Sequence, residues 1–543
     1  VEYVLFLFLS LAAILSIVRR PALRIWAFRA SLATACVAII DVALGNWRWP
    51  LAPALALSLL LLLVTTYHRT GDRRVADAPD LWTRLRLIIV VLVGGAWLTI
   101  AVVLPVSFPM FASPAPSGPF GVGIRDIHLV DQSRAETMTE RVDDHRELMI
   151  RVWYPASIPA GAQPEPFLRD VAPLQAIVSS TIPWPDLMLK HLTRIGSHSY
   201  ANAPMSDGER EHAQPRFPVL VFSHGNSFYA GQNGLLMEHL ASHGYVVFSI
   251  DHPYQASVVR FPDGRVARYK ENWWDTVAAG ISPDAQVRAA NSYARAFKAR
   301  TYEEYHASMR EFLDSPVGLN KGLRIWLDDT AFLLDQLASI DSFARDGQPS
   351  RESGLDAFNG RLDLQRIGIF GMSYGGATAG QFCASDERCK AGINMDGMQL
   401  GEGAIDIRLN RPFMLMNADP RDLHLEDDSA AQGASDRNKP PLFGMNDFVY
   451  HQARIAYSLT IAGATHGNFS DFGIMMSGVA RWTGMLGKID GWVMGGLLND
   501  YTLAFFNKHL LGRTEPLLDR QTLERPGVLA FEQRDGRTIS MTQ

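Results

Sequence analysis

With 543 residues the chain exceeds one ordinary domain, and 47% hydrophobic with 20% charged residues is the composition of packed protein rather than of a disordered or fibrous chain. A net charge of −5 over that length leaves no basic footprint, which excludes nucleic acid as an expected partner. Three cysteines are too few for a disulfide framework.

The apolar residues are unevenly spread, with four long uncharged runs near the start: YVLFLFLSLAAILSIV (3–18), IWAFRASLATACVAIIDVALG (25–45), PLAPALALSLLLLLVTTY (50–67) and LIIVVLVGGAWLTIAVVL (87–104). Each approaches the roughly 20 residues a helix needs to cross about 30 Å of hydrocarbon. One such run would suit a buried soluble helix or a cleaved leader; four in succession predict a four-helix transmembrane region over 1–104. The second run holds Arg29 and Asp41, expected near opposite helix ends where side chains reach the headgroups. Arg19, Arg20, Arg24 and Arg29 flank the first connection and Arg69, Arg73, Arg74, Arg84 and Arg86 the third, against Arg48 in the second. Basic loops stay cytoplasmic, so everything after residue 105 is expected outside the cytoplasm.

PVSFPMFASPAPSGPF (105–120) has a linker's proline, serine and glycine. From 121 to 543 short buried strands alternate with helical patterns. LMIRVWYP (148–155), PVLVFSHG (218–225), YVVFSID (245–251), RIGIF (366–370), AGINMD (391–396), PFMLMNAD (412–419) and IAYSLTIAG (455–463) read as strands. GLLMEHLASHG (234–244), LRIWLDDTAFLLDQLASI (323–340) and YTLAFFNKHLLG (501–512) read as helices, the second with an apolar face through Leu327, Ala331, Leu334 and Leu337. The rhythm predicts an α/β fold, a mostly parallel sheet covered on both faces. Residues 156–215 and 252–320 break it as polar, aromatic insertions, which suit either lids or surface ornament.

FGMSYGGA (370–377) places a serine between glycines where a strand turns into a helix. That is the pattern of a nucleophile elbow exposing Ser373, although five such residues also make an ordinary turn. A serine hydroxyl needs a base, and the base an acid that holds its tautomer. His466, in IAGATHGNFSDF after the last strand, is the candidate base; otherwise it is a surface-loop histidine. His224 and His252 precede the serine, and His451 precedes a strand. Asp396 and Asp419 each end a strand between serine and histidine, and spacing does not separate them as the acid. An oxyanion hole needs two backbone N–H groups. Tyr374 follows the nucleophile, and Asn226 in SHGNSF follows an upstream strand, with His224 expected to shape that loop. Cys383 and Cys389 in FCASDERC are close enough to pair in an oxidising compartment, the alternative being two free buried thiols.

Together VFSHG, GMSYGG, NMDG, GATHGNFSDF and LNDYTLAFFNKHLLG resemble the platelet-activating factor acetylhydrolase family of α/β-hydrolases, plasma and type II, over about residues 118–515. The resemblance implies an α/β-hydrolase fold, Asp396 rather than Asp419 as the acid, no cofactor or metal, and calcium-independent cleavage of short or oxidised acyl groups from phospholipid. Related bacterial sequences also resemble general carboxylesterases, polyester hydrolases and dienelactone hydrolases. The animal enzymes lack the four-helix region, and the insertions do not match them. The expectation is therefore a multi-pass protein of a bacterial inner membrane with its esterase on the periplasmic side, acting on an ester or lipid substrate. Oligomeric state is not legible. A catalytically silent binding protein is the alternative from another class; the complete serine, histidine and acid set argues against it. Sparse intramembrane charge argues against ion or polar-solute transport by the helices.

Overall fold

The computed structural model describes residues 2–17, 23–44, 48–70, 81–108, 110–180, 189–207, 216–279, 281–315, 318–345, 354–401, 403–406, 408–421, 444–476, 481, 484–519 and 525–535. Arg19, Arg20, Arg73 and Arg74, on which the loop orientation partly rests, lie outside the described residues. The chain divides into two compact units, Val1–Phe111 with Pro185–Leu192 and Met475–Val479, and Ala112–Trp184 with Thr193–Ile474 and Ala480–Gln543.

In the first unit the four apolar runs form helices Glu2–Ile17, Arg24–Ala43, Ala52–Thr70 and Leu81–Ser107. Three spans are long and apolar enough to cross a membrane, Arg24–Ala43, Trp49–Arg69 and Ile88–Ser107. This corrects the expected four: among the described residues the first helix has 16 residues, and at about 1.5 Å per residue it falls short of the hydrocarbon thickness. Leu5, Leu9, Ala54 and Ala101 pack inward, whereas Leu7, Ile88, Val90 and Leu92 face outward, the distribution a helix shows toward lipid. Arg48 pairs with Glu2 (Nη2 to Oε2, 2.6 Å) and donates to the Pro105 carbonyl at 3.2 Å. Asp41 sits in the last turn of its helix as expected, but is 1% exposed rather than reaching outward.

The second unit is built on strands β1 (Gly121–Ala135), β2 (His145–Ala156), β3 (Ser199–Ala201), β4 (Phe217–Ser223), β5 (Val246–Asp251), β6 (Val258–Arg260), β7 (Val266–Arg268), β8 (Leu362–Met372), β9 (Cys389–Met395), β10 (Phe413–Asn417), β11 (Ile455–Ile461) and β12 (Val528–Asp535). Among the described residues ten form one sheet in the order β12-β11-β10-β9-β8-β4-β5-β2-β1-β3, while β6 and β7 make a separate hairpin. The run from β5 through β4, β8, β9 and β10 to β11 is parallel; β2 on β5, β1 on β2 and β12 on β11 are antiparallel. Strand alternation explains the uninterrupted apolar runs, because both faces are buried. Val219 and Val221 of β4 join Ile367 and Ile369 on one face, and Leu220 and Phe222 join Phe370 and Met372 on the other.

The chain leaves β4 toward β5 on one side and β8 on the other, so strand order reverses there. In open α/β sheets such a reversal opens a crevice beyond the strands' carboxyl ends. Ser223 is paired with Gly371 and Gly371 with Asn394 across adjacent strands, bringing three loops to that crevice. Helix Gly318–Arg345 covers one face, but its buried stripe runs through Leu323, Trp326, Asp329, Thr330, Leu333, Leu334 and Leu337. Leu327 and Ala331 of the expected stripe are only partly buried, and a carboxylate takes a buried position instead. Helix Gly491–Leu511 begins ten residues before the expected 501; Asp490 caps it by accepting from the N–H groups of Trp492 and Val493. The 252–320 insertion folds into the β6–β7 hairpin and helices Trp273–Val277, Pro283–Lys298 and Tyr302–Leu313.

Candidate active site

β8 ends at Met372, and helix Tyr374–Ser385 starts two residues later. Between them Ser373 has φ 56° and ψ −119°, a conformation that costs a non-glycine residue of order 1–3 kcal/mol and persists only where the surroundings enforce it. The flanking glycines are required by space: a Cβ at Gly371 would lie 2.3 Å from the Gly375 carbonyl oxygen, and one at Gly375 2.0 Å from that of Ser223. The glycine-serine-glycine pattern is therefore an elbow here and not an ordinary turn.

His466 opens a short 3-10 turn after β11, fixed by reciprocal hydrogen bonds between Thr465 and Asn468. Its Nε2 lies 2.9 Å from Ser373 Oγ and its Nδ1 2.6 Å from Asp396 Oδ2. Asp396 follows β9 at φ 55°, and its other oxygen accepts the Ala418 N–H at 2.7 Å. With Nδ1–H donated to the carboxylate, Nε2 presents a lone pair to the serine hydroxyl. Asp419 is engaged elsewhere: it accepts from Arg421 N, Nε and Nη2 at 3.0, 2.9 and 2.7 Å and from Gly463 N at 2.8 Å. The Arg421 hydrogen bond holds its carboxyl far below the usual range. Burial opposes charge on His466, but the hydrogen bond and charge of Asp396 outweigh it and raise the imidazole above its ordinary value.

The segment after β4 also has an accountable backbone. Gly225 N–H donates to Gln232 Oε1, Ser227 N–H to the Gln255 carbonyl and Phe228 N–H to the Gly225 carbonyl. Asn226 N–H has no partner among the described residues. A Cβ on Gly225 would come within 3.4 Å of Ser373 Cβ, so this loop lies against the elbow. Tyr374 N–H begins a helix and has no intrahelical acceptor. The Asn226 side chain is clamped by the second insertion: Trp273 Nε1–H donates to Oδ1 at 3.0 Å, and Nδ2–H donates to Tyr269 Oη at 3.2 Å. These two insertion residues thus touch the site rather than decorating the surface.

His224 shapes the loop as expected. Its Nδ1–H donates to the Gly225 carbonyl at 2.7 Å, Nε2 accepts the His252 N–H at 3.3 Å, and burial pushes its pKa down to about 3. His451 is exposed beside Asp447. Sequence reasoning missed a second serine, histidine and aspartate alignment, Ser223, His252 and Asp329, all buried. The one available signal was the aspartate within an otherwise apolar helical stripe. Ser199 donates to Glu238 Oε1 at 2.6 Å, but the neighbouring His198 ring turns to the Ser113 carbonyl. Cys383 and Cys389 are joined as a disulfide. Among the described residues no cluster of three or more histidine, cysteine or acidic side chains is gathered as a metal site.

Residues 106–279 and 349–516, together more than half of the chain, match the family described as platelet-activating factor acetylhydrolase, isoform II. The chain belongs to that family. Within it, similarity to the platelet-activating factor acetylhydrolase of Cavia porcellus is 24% identity over 318 residues, 57% of this chain and 60% of that protein. The match covers about three fifths of the mammalian relatives. A probable 1-alkyl-2-acetylglycerophosphocholine esterase of Arthroderma benhamiae is 24% identical over 470 residues, covering 82% of this chain and 98% of its own length. Among solved structures, a ferulic acid esterase from Streptomyces cinnamoneus superposes with TM-score 0.50 at 25% identity, over 77% of this chain and 99% of that one. The family match carries both the elbow and His466; residues 280–348, between its two segments, hold most of the second insertion's helices and Asp329.

Proposed function

We propose that the protein is a membrane-anchored serine esterase of this family that cleaves short or oxidised acyl groups from phospholipid or related lipid esters. The observation that carries the reading is the contact of His466 with Ser373 Oγ at 2.9 Å and Asp396 at 2.6 Å, at a strained strand-to-helix elbow. In this reading His466 Nε2 takes the Ser373 proton as Oγ attacks the ester carbonyl. Asp396 stabilises the imidazolium, and the N–H groups of Tyr374 and Asn226 receive the oxyanion. The imidazolium then protonates the departing alcohol, and water, deprotonated by the same histidine, releases the acid and restores Ser373.

Lipid as substrate is supported by the family relatives and by three helices apolar enough to cross a membrane, which would hold the catalytic unit beside its substrate, on the extracytoplasmic face by the basic-loop pattern. Likeness to a ferulic acid esterase favours a second reading, a general carboxylesterase of small soluble esters. The test is hydrolysis by the detergent-solubilised protein of glycerophospholipid and nitrophenyl esters of increasing acyl length, with Ser373→Ala as blank. Preference for short-chain phospholipid supports the first reading and turnover of small soluble esters alone the second. Absence of turnover on every ester would overturn both.

A further inference from the structure

Ser223, His252 and Asp329 repeat the donor and acceptor order of the candidate triad where no substrate reaches, at 3%, 0% and 0% exposure. His252 Nδ1–H donates to Asp329 Oδ2 at 2.8 Å, and His252 Nε2 accepts the Ser223 hydroxyl at 3.2 Å. Asp329 is anchored from behind by Arg146 Nε and Nη2, at 3.0 and 2.6 Å, and by Arg134 Nη2 at 2.7 Å. Burial pushes His252 down to about 4, so the imidazole remains neutral.

What the array connects is more informative than what it resembles. Asp329 and Trp326 lie one turn apart on helix Gly318–Arg345, and Trp326 stacks on His252 at 3.9 Å between ring centroids. Trp326 also meets Tyr374 edge-on at 4.9 Å and donates to Gln255, whose carbonyl accepts the Ser227 N–H. Tyr374 Oη donates to the Leu319 carbonyl of the same helix at 2.7 Å. One helix therefore grips the elbow residue Tyr374 directly and the Asn226 loop through Ser223. We propose that Asp329, His252 and Ser223 are positioning residues through which helix Gly318–Arg345 sets the Asn226 oxyanion donor at its working distance from the elbow, which the same helix grips through Tyr374. The proposal rests on the serine-esterase reading of Ser373. It adds a role for Asp329, a residue between the two family-matched segments.

A donor displaced by a fraction of an ångström binds the ester substrate as before and the tetrahedral oxyanion less well, so the loss falls on kcat. Ser223→Ala in the detergent-solubilised full chain should lower kcat on nitrophenyl acetate by about tenfold, below the 10²–10³ of losing a donor outright, with KM unchanged. Affinity for a trifluoromethyl ketone, which presents an oxyanion, should fall in parallel. Ser223→Cys, which keeps a weak donor in nearly the same volume, should recover part of the loss and stands in if Ser223→Ala does not fold. Unchanged kcat, or a kcat loss with full inhibitor affinity and a lowered melting temperature, would overturn the proposal. Ser373→Ala separates the two claims: if it retains turnover the esterase reading fails, whereas an inert Ser373→Ala beside a normal Ser223→Ala removes only the positioning role.

Discussion

Exchanging each candidate acid for its amide distinguishes two aspartates that a reader of the sequence sees as equivalent. In Asp396→Asn the side chain must still meet the Ala418 N–H and the His466 ring, which now contact separate carboxylate oxygens at 2.7 and 2.6 Å. If the amide oxygen faces Ala418, the NH₂ group meets Nδ1, drives the ring proton to Nε2 and blocks acceptance from Ser373. The opposite orientation sets two donors against each other at a buried site, costing about 1–3 kcal/mol. The active tautomer is therefore disfavoured about 5- to 150-fold, and with the loss of the charge that stabilises the imidazolium kcat should fall about 10⁴-fold with the fold intact. Asp419→Asn keeps one acceptor oxygen for Gly463 and surrenders charge-assisted contacts to Arg421, whose side chain is 63% exposed and regains water. That change should cost about 1 kcal/mol of stability and leave kcat within about threefold. Steady-state hydrolysis of nitrophenyl acetate with melting curves for both variants reads the difference. Comparable losses, or a larger loss in Asp419→Asn, would refute the assignment of the acid.

Ser373→Ala should reduce turnover by several orders of magnitude without changing the melting temperature by more than a few degrees, measured by active-site titration with a fluorophosphonate and by calorimetry. The pH profile of kcat/KM should show one acidic limb, with activity lost as pH falls through the His466 pKa, because only the neutral imidazole accepts a proton. Its midpoint should lie above the ordinary imidazole value and move down in Asp396→Asn, as the raising interaction is removed and burial remains. His224 and His252, held by burial to about 3 and about 4, should add no limb above pH 5 or so. Gly375→Ala places a Cβ 2.0 Å from a backbone oxygen and should abolish soluble expression or activity; wild-type behaviour would mean the elbow does not pack as described.

The strand positions were legible because both sheet faces are buried, which turns each parallel strand into an apolar run bounded by small or polar residues. Incomplete burial near the sheet edge made β1 hard to see: GVGIRDIHLVDQSRA carries polar, partly exposed residues along a strand that pairs only with β2 and the three-residue β3. Ser373 and His466 were readable from their local context, since an elbow demands glycines and the histidine turn demands small residues. Asp396 was not separable from Asp419 by spacing, because what distinguishes them is a neighbour two residues on, Arg421, that occupies Asp419. Of the four expected spans it is the first, Glu2–Ile17, that falls short on length among the described residues, not on composition. The Asp329 array was illegible because its members lie on separate elements, and only the fold sets an acid inside one helix against a histidine beyond β5.

Ser373 lies 93 residues before His466 and 70 residues separate Asp396 from that histidine, yet all are joined through neighbouring parallel strands. Ser373 and Asp396 share the local unit of β8, helix Tyr374–Ser385 and β9, but no local segment brings His466 to either of them. Contacts of such separation form late, after loop-closure entropy has been overcome. Enzymatic activity in a refolding experiment should therefore reappear behind helical circular dichroism, and the rate of its return times the final pairing of β9, β10 and β11.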